Sequence, residues 1–272
     1  LTFKNHIMKT VNAILLMIVF IVPATLPAYS RQNPDSLLLA HSEQWTAKPN
    51  KGLFGLSKPQ FGPYTTTAVI KLDSPVIKQK TKDSSFIGFE SSTDGTDFDQ
   101  SKYLTIKKSK FYKLSLSKEN ANADAVFAIA SESQEKRQTL FGKLLSKNDE
   151  GKDEVLNYKR DIPGIIQTEN DSVHWKFMLQ DFTSGGQPTA YMPYPVASIS
   201  GGYLKNNEDS LAMQLYSSFA ADLVLINNKG EHVAALAFKQ KKPDMWIRND
   251  ISESYQQAIA TMFAVIISIK DY

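Results

Sequence analysis

The C-terminal segment, residues 251–272, is apolar around nearly the whole circumference that a helix would present. Between Ala258 and Ile269 only Thr261 and Ser268 are polar. A helix on a domain surface keeps a wide polar face toward water, so this helix is predicted to be surrounded by protein.

The polar residues at the start of this segment give a second indication of the helix, independent of its apolar composition. Asp250, followed by Glu253 three residues later, resembles a capping box, in which side chains accept hydrogen bonds from free helix amides. We therefore predict a helix over residues 251–270. A final buried strand over residues 263–269 is the alternative, because β-branched side chains are frequent there.

The chain before this helix alternates apolar and polar residues over short stretches, the pattern of strands with one buried face. A tight hairpin turn is predicted at residues 227–230, because asparagine and glycine tolerate positive φ. Residues 138–145 fit a short helix or a hairpin. The predicted strands are residues 65–72, 85–89, 103–107, 111–116, 125–130, 172–180, 189–191, 199–205, 211–216, 222–226 and 232–238.

Many short strands followed by one apolar helix predict a mainly β fold, α+β by count of elements. A helix of about 18 residues would span roughly 27 Å, a length that ordinary strands can enclose. The expected architecture is a closed antiparallel β-barrel or sandwich that encloses the hydrophobic C-terminal helix.

Three regions organise the chain. In residues 1–30, Met8 precedes the apolar run 13–22, which is typical of a secretory signal peptide and too short to span roughly 30 Å of hydrocarbon. Residues 31–64, rich in proline and glycine, are predicted to be an extended leader or linker. Residues 65–272 are predicted to form one β-rich domain. We expect export to the periplasm or the cell exterior, with no transmembrane span in the mature chain.

Charge and cysteine content narrow the possible partners. Removal of Lys4 and Lys9 with the leader lowers the formal net charge from +3 to +1, which leaves no global field to gather nucleic acid. The chain has no cysteine, so neither a disulfide nor a lipid on an N-terminal cysteine can form. The oligomeric state is not predicted.

Motifs for catalysis and metal binding are weak. His41, His174 and His232 lack an H-E-x-x-H or paired-cysteine context, which favours structural roles. No serine lies in a G-x-S-x-G motif. The acidic turn at residues 94–99 offers carboxylates, but its glycine is misplaced for an EF-hand calcium loop. We predict no metal, no cofactor and no assignable catalytic residue.

Two basic clusters and one aromatic loop are the candidate binding residues. Long cationic side chains near an aromatic ring suit an anionic lipid or polysaccharide, whereas lysines on strand edges also protect a sheet from aggregation. Irregular loops are frequent binding sites. The candidates are Lys107, Lys108, Lys110 and Lys113 in the first cluster, Lys239, Lys241, Lys242, Trp246 and Arg248 in the second, and Tyr191 and Tyr194 in the loop.

The order of elements near the C-terminus resembles a known group of folds. Residues 230–235, then Trp246 and Ile247, then an apolar helix over residues 258–269 are similar to the tubby C-terminal-like group, which includes LURP-one-related proteins and phospholipid scramblases. The resemblance implies a closed barrel of about twelve strands around a hydrophobic helix. Tubby proteins bind phosphoinositide headgroups through basic residues, and no residue of this chain is assigned to those positions.

These features favour an exported, non-catalytic binding or scaffold protein whose ligand is an anionic lipid or a glycan of the cell envelope. The alternative is a secreted hydrolase with a pair of carboxylates, since 28 acidic residues always include some suitable pair. A concave pocket with two carboxylates of perturbed pKa would favour the hydrolase. A flat or basic patch with aromatic residues at its edge would favour the binding protein.

Overall fold

A computed structural model describes part of the chain, and all of the described residues lie in one compact unit, residues 33–272. The predicted leader 1–30, most of segment 138–145, Lys239, Tyr191 and Tyr194 fall outside the described residues. The described stretches are residues 35–50, 56–72, 77–92, 95–119, 121–139, 154–169, 172–180, 201–215, 222–238 and 241–269.

The described residues form a mainly β fold, as predicted. The helices are α1 (Ser36–Ala40) and α2 (Glu253–Ile269). The strands are β1 (Ser42–Thr46), β2 (Lys48–Asn50), β3 (Lys58–Phe61), β4 (Tyr64–Lys71), β5 (Ile77–Ser92), β6 (Gly95–Lys118), β7 (Ala121–Gln138), β8 (Glu154–Thr168), β9 (Trp175–Gln180), β10 (Gly201–Lys205), β11 (Ser210–Leu215), β12 (Leu223–Ile226), β13 (His232–Ala237) and β14 (Asp244–Arg248).

These strands make one antiparallel sheet in the order β1-β14-β13-β12-β11-β10-β9-β8-β7-β6-β4-β3-β2. The two ends of this order, β1 and β2, follow each other in the chain with only Ala47 between them. Residues 42–50 therefore pair with β14 at their start and with β3 at their end. This shared segment joins the sheet's ends into a nearly closed barrel with 12 strands in its wall.

Strand β6 divides its length between two partners. Residues 112–118 pair with β4, whereas residues 95–109 pair with β5. The predicted strands 103–107 and 111–116 are thus parts of one strand, and β7 and β8 continue beside it. A four-stranded extension, formed by β5 and parts of β6, β7 and β8, adjoins the barrel.

Helix α2 is buried on every side, as predicted. Residues 257–269 each expose 2 % or less of their surface, and β3, β6, β7, β8 and β14 contact the helix. Thr261 and Ser268 satisfy their hydroxyls within the helix, because Thr261 Oγ1 donates to the Gln257 carbonyl and Ser268 Oγ to the Ala264 carbonyl, each at 2.7 Å. The alternative of a final strand is wrong. Neither described helix has the length and apolarity that a membrane span requires.

The start of α2 differs from the predicted capping box. Arg248 Nε and Nη2 donate to the Asp250 carboxylate at 2.7 and 2.6 Å, so the arginine competes with the helix for these acceptors. Ser252 takes the capping position instead, and its Oγ accepts a hydrogen bond from Tyr255 N at 3.3 Å.

The barrel begins further upstream than the sequence predicts. The predicted leader 31–64 contributes α1, β1, β2 and β3. Ser57 donates from its backbone N to the Ser268 carbonyl at 3.3 Å and from its Oγ to the Ile267 carbonyl at 3.2 Å, and so caps the end of α2. Strands β1 to β3 contain 3 to 5 residues each, which is too short for a recognisable alternation among prolines and glycines.

The predicted turn at residues 227–230 is confirmed. It joins the antiparallel strands β12 and β13, and Gly230 has a φ of +81°. Gly230 N donates to the Asn227 carbonyl at 2.9 Å, while Asn227 Oδ1 accepts from Lys229 N at 2.9 Å. The asparagine side chain therefore stabilises the turn that the glycine makes possible.

Gly62, between β3 and β4, occupies a position that disfavours any side chain. Its φ is +49°, and a Cβ there would lie 2.5 Å from the Trp45 ring. We expect Gly62→Ala to lower the free energy of unfolding by about 1–2 kcal/mol. Gly230→Ala is the matched control, since its φ is +81° but no atom lies within 4 Å of its Cβ. Equal losses for both variants in a urea titration would contradict the steric contribution of Trp45.

Candidate functional site

The first predicted lysine cluster is divided between the two faces of β6. Successive side chains alternate across a strand, and Lys108 and Lys110 share a face with the buried Tyr112. Lys107 and Lys113 lie on the opposite face, which is the outer face of the barrel wall. The four lysines therefore do not form one basic patch.

Two outward lysines near the barrel rim face carboxylates. Lys107 Nζ lies 3.2 Å from Glu132, and Lys159 Nζ lies 3.2 Å from Asp161. All four residues line a groove of about 180 Å³. Lys108 also lines this groove, which leaves one lysine in excess over the two carboxylates. Both carboxylates are already held by lysines.

Lys113 is also paired on the outer face. Its Nζ lies 2.8 Å from Asp124, whose carboxylate also accepts a hydrogen bond from Ser115 Oγ at 2.6 Å. Partial burial alone would raise the pKa of the Asp124 carboxyl. Hydrogen bonds from Lys113 and Ser115, together with the lysine's charge, outweigh that effect and hold the pKa below its usual range.

The aromatic residue of the second cluster is structural. Trp246 is 7 % exposed and packs with Leu38 of α1, Val224 and Ala235 on the outside of the barrel. Its ring is therefore covered by α1 and does not present an aromatic surface to a membrane.

Arg248, from the same cluster, is held by acidic neighbours. Its Nη2 lies 2.6 Å from Asp250, and its Nη1 lies 3.5 Å from Glu231. The hydrogen bond with Asp250 is the main cause that raises the pKa of Arg248. Of the described members of this cluster, Lys241 and Lys242 remain as exposed cations.

A different site lies on the outer face of strands β6 to β10, where an apolar groove has a volume of about 330 Å³. This volume is at the lower end of the range of roughly 300–1,000 Å³ that is common for ligand pockets. Phe127, Gly164 and Phe177 lie beneath the groove, and the two phenylalanine side chains belong to the barrel interior. The groove is thus a hollow in the wall, open to solvent.

One row of groove residues follows directly from strand register. Val126 of β7 is opposite Ile165 of β8, Ile165 is opposite Lys176 of β9, and Lys176 is opposite Lys205 of β10. Val126 and Ile165 are 45 % and 48 % exposed. Large aliphatic side chains are therefore presented to solvent beside two cations.

A second row lies two residues away along the same strands. Phe111 of β6 is opposite Ala128 of β7, and Met178 of β9 is opposite both Pro163 of β8 and Tyr203 of β10. All of these side chains are half-buried. The two rows form the walls of the groove.

Lys176 lines one end of the groove, and Lys205 lies beside it on β10. They are directly opposite each other on antiparallel strands, where Cβ atoms are about 4.5–5.5 Å apart and like charges destabilise each other. Lys205 Nζ lies 4.8 Å from the centroid of the Tyr203 ring. Among the residues that the structure describes, neither lysine forms an ion pair. A bound anion would relieve the repulsion between them.

This groove was not predicted, although the sequence of β8 and β9 carries one signal for it. Ile165 and Ile166 are adjacent in β8. Because successive side chains of a strand point to opposite faces, only one of them can face the core. Ile166 is fully buried, so Ile165 faces outward. Likewise, Lys176 and Met178 alternate with the buried Trp175 and Phe177 and share the outer face.

Within the described part of the chain, no group of three or more histidine, aspartate or glutamate side chains is arranged to hold a metal ion. His232 has a structural contact, because its Nδ1 accepts a hydrogen bond from Asp35 N at 3.3 Å. The acidic residues at 95–99 belong to β6. No protein-family model, curated protein or solved structure matches this chain.

Proposed function

We propose that this chain is an exported, non-catalytic binding protein that docks on anionic lipid at the cell envelope through the groove on β6 to β10. The observation that carries the proposal is one cross-strand row on the outer face, in which the exposed aliphatic residues Val126 and Ile165 are followed by the lysine pair Lys176 and Lys205. At a membrane surface, apolar side chains enter the acyl region while lysines meet anionic headgroups.

The apolar rows favour a lipid over a glycan, since a glycan offers hydroxyl and anionic groups but no acyl chain. The signal peptide predicted in residues 1–30 supports the envelope location. Similarity to the tubby C-terminal-like group remains part of the proposal, and the enclosed helix α2 supports it by order of elements. The hydrolase alternative gains no support from the rim groove, where Glu132 and Asp161 are paired with lysines.

Vesicle sedimentation tests the proposal. We expect the protein to sediment with vesicles that contain phosphatidylglycerol, and much less with phosphatidylcholine alone. A lysine near an anionic membrane contributes about 1 kcal/mol. Lys176→Gln combined with Lys205→Gln should therefore lower vesicle affinity about 30-fold. Added salt should weaken the wild-type interaction, because exposed charges are screened.

The matched control is Lys241→Gln combined with Lys242→Gln, which removes two exposed lysines between β13 and β14. This control should bind vesicles like the wild type. If it loses affinity and the groove variant does not, the second lysine cluster is the lipid site and the groove is not. Binding to an anionic polysaccharide without binding to vesicles would assign a glycan ligand instead.

A further inference from the structure

The shape of the groove indicates what part of a lipid it would hold. A surface that only rests on a bilayer presents protruding apolar side chains. Here, Phe111, Met178 and Tyr203 are half-buried and wall a hollow of about 330 Å³. Ala128, with its small side chain, leaves the second row open beside Phe111. A hollow of this kind suits a group that enters it.

We propose that the groove holds the single acyl chain of a monomeric amphiphile with an anionic head, and that Lys176 and Lys205 bind the head. This inference rests on the proposed function and narrows the ligand from an anionic bilayer to a fatty-acid-like molecule. The charge of the two lysines indicates that the head is anionic. They are directly opposite each other and have no acidic partner among the described residues, so an anion between them is favourable.

The strand order sets the direction of the chain. The lysines lie on β9 and β10, Ile165 lies on β8, Val126 on β7 and Phe111 on β6. Neighbouring strands are about 4.8 Å apart, so β6 is about 14 Å from β9 across the sheet. The acyl chain would leave the lysines and cross β8 and β7 toward β6. The two rows are about 7 Å apart along the strands and would flank the chain.

Calorimetric titration of the full chain with octanoate, decanoate and dodecanoate, each at concentrations where it is monomeric, tests this inference. Each methylene buried in an apolar site contributes enough to tighten binding about fourfold, so two added carbons should tighten it about 15-fold. We expect one molecule bound per chain. Dodecyltrimethylammonium has the same chain and a cationic head, and it should bind much more weakly.

Three variants separate the head site from the chain site. Lys176→Gln with Lys205→Gln should weaken dodecanoate binding about 30-fold. Ala128→Phe should fill the hollow and abolish dodecanoate binding while vesicle binding through the lysines remains. Ala128 is half-buried on the outer face of β7 and lines the groove, so its replacement adds volume to the groove and not to the core. Ile165→Ser gives a second test, because it removes apolar contact from a side chain that is 48 % exposed.

The outcomes distinguish this inference from the proposed function. Wild-type binding to anionic vesicles without binding to any fatty acid overturns the acyl-chain inference and leaves the proposed function standing. A flat dependence on chain length, or normal dodecanoate binding by Ala128→Phe, also overturns it. Equal affinity for dodecyltrimethylammonium overturns the role of the lysines. If neither vesicles nor fatty acids bind, both proposals fail.

Discussion

Phe263→Ala is expected to lower the free energy of unfolding by about 3–5 kcal/mol. Phe263 is in the middle of α2 and is fully buried, so removal of its ring leaves a cavity where the helix meets the barrel wall. The surrounding wall relaxes only in part, because its strands are also fixed by hydrogen bonds to their neighbours. Urea denaturation should show a lower midpoint with an unchanged slope.

The control for this variant is Ile70→Ala on β4. Ile70 is 53 % exposed, and substitutions at such positions usually change stability by less than about 0.5 kcal/mol. A loss from Phe263→Ala no larger than that from Ile70→Ala would mean that α2 is not enclosed. The comparison therefore tests the central feature of the fold without reference to any ligand.

The enclosed helix was predictable because its signal is local and long. Over residues 258–269 the sequence alone indicates that no face is polar enough for solvent. The closure of the barrel was not predictable in the same way, because residues 42–50 pair both with the nearby β3 and with β14, about 200 residues away in the chain. The sequence of a short strand contains too few residues to indicate which remote strand it pairs with.

The length of β6 shows a second limit of the sequence. Lys107 and Lys108 are adjacent and exposed, and they interrupt the alternation between the predicted strands 103–107 and 111–116. Backbone pairing nevertheless continues through them, from Lys107 opposite Glu132 to Lys108 opposite Ser131. Cross-strand hydrogen bonds do not require an apolar side chain, so a pattern of hydrophobicity alone divides this strand in two.

The candidate site was harder to predict than the fold, because its residues come from five different strands. Val126, Ile165, Lys176 and Lys205 meet only after register is fixed, and a slip of one residue would send their side chains to the other face. The sequence drew attention to clusters of lysines along the chain. The structure shows that neighbours across the sheet, not along the chain, decide which charges are paired.

Two apolar areas on the described outer wall of the barrel have different surroundings. On β12, β13 and β14, Val224, Ala235 and Trp246 are buried under Leu38 of α1. On β7 and β8, Val126 and Ile165 are about half exposed. The chain thus covers one apolar surface with its own helix, and the contrast is an argument that the second surface serves a ligand.

Gly164→Val is expected to cost about 3 kcal/mol or more, the upper end of the range for overpacking. Gly164 is opposite Phe127 on one side and Phe177 on the other. A Cβ at this position would lie 2.3 Å from the Phe177 ring and 2.9 Å from Phe127 Cβ. Both rings are 1 % exposed, so neither has free space to enter, and the strand itself must shift.

Gly201→Val is the matched control for this variant. Gly201 also lies in a barrel strand, and the nearest atom to its Cβ is Gln180 Oε1 at 3.4 Å, which is the end of a flexible side chain. Because valine favours strands, the control removes β-propensity as an explanation. A similar loss of stability in both variants would contradict the packing of Phe177 against Gly164. A large loss confined to Gly164→Val would show that the groove's floor depends on a residue without a side chain.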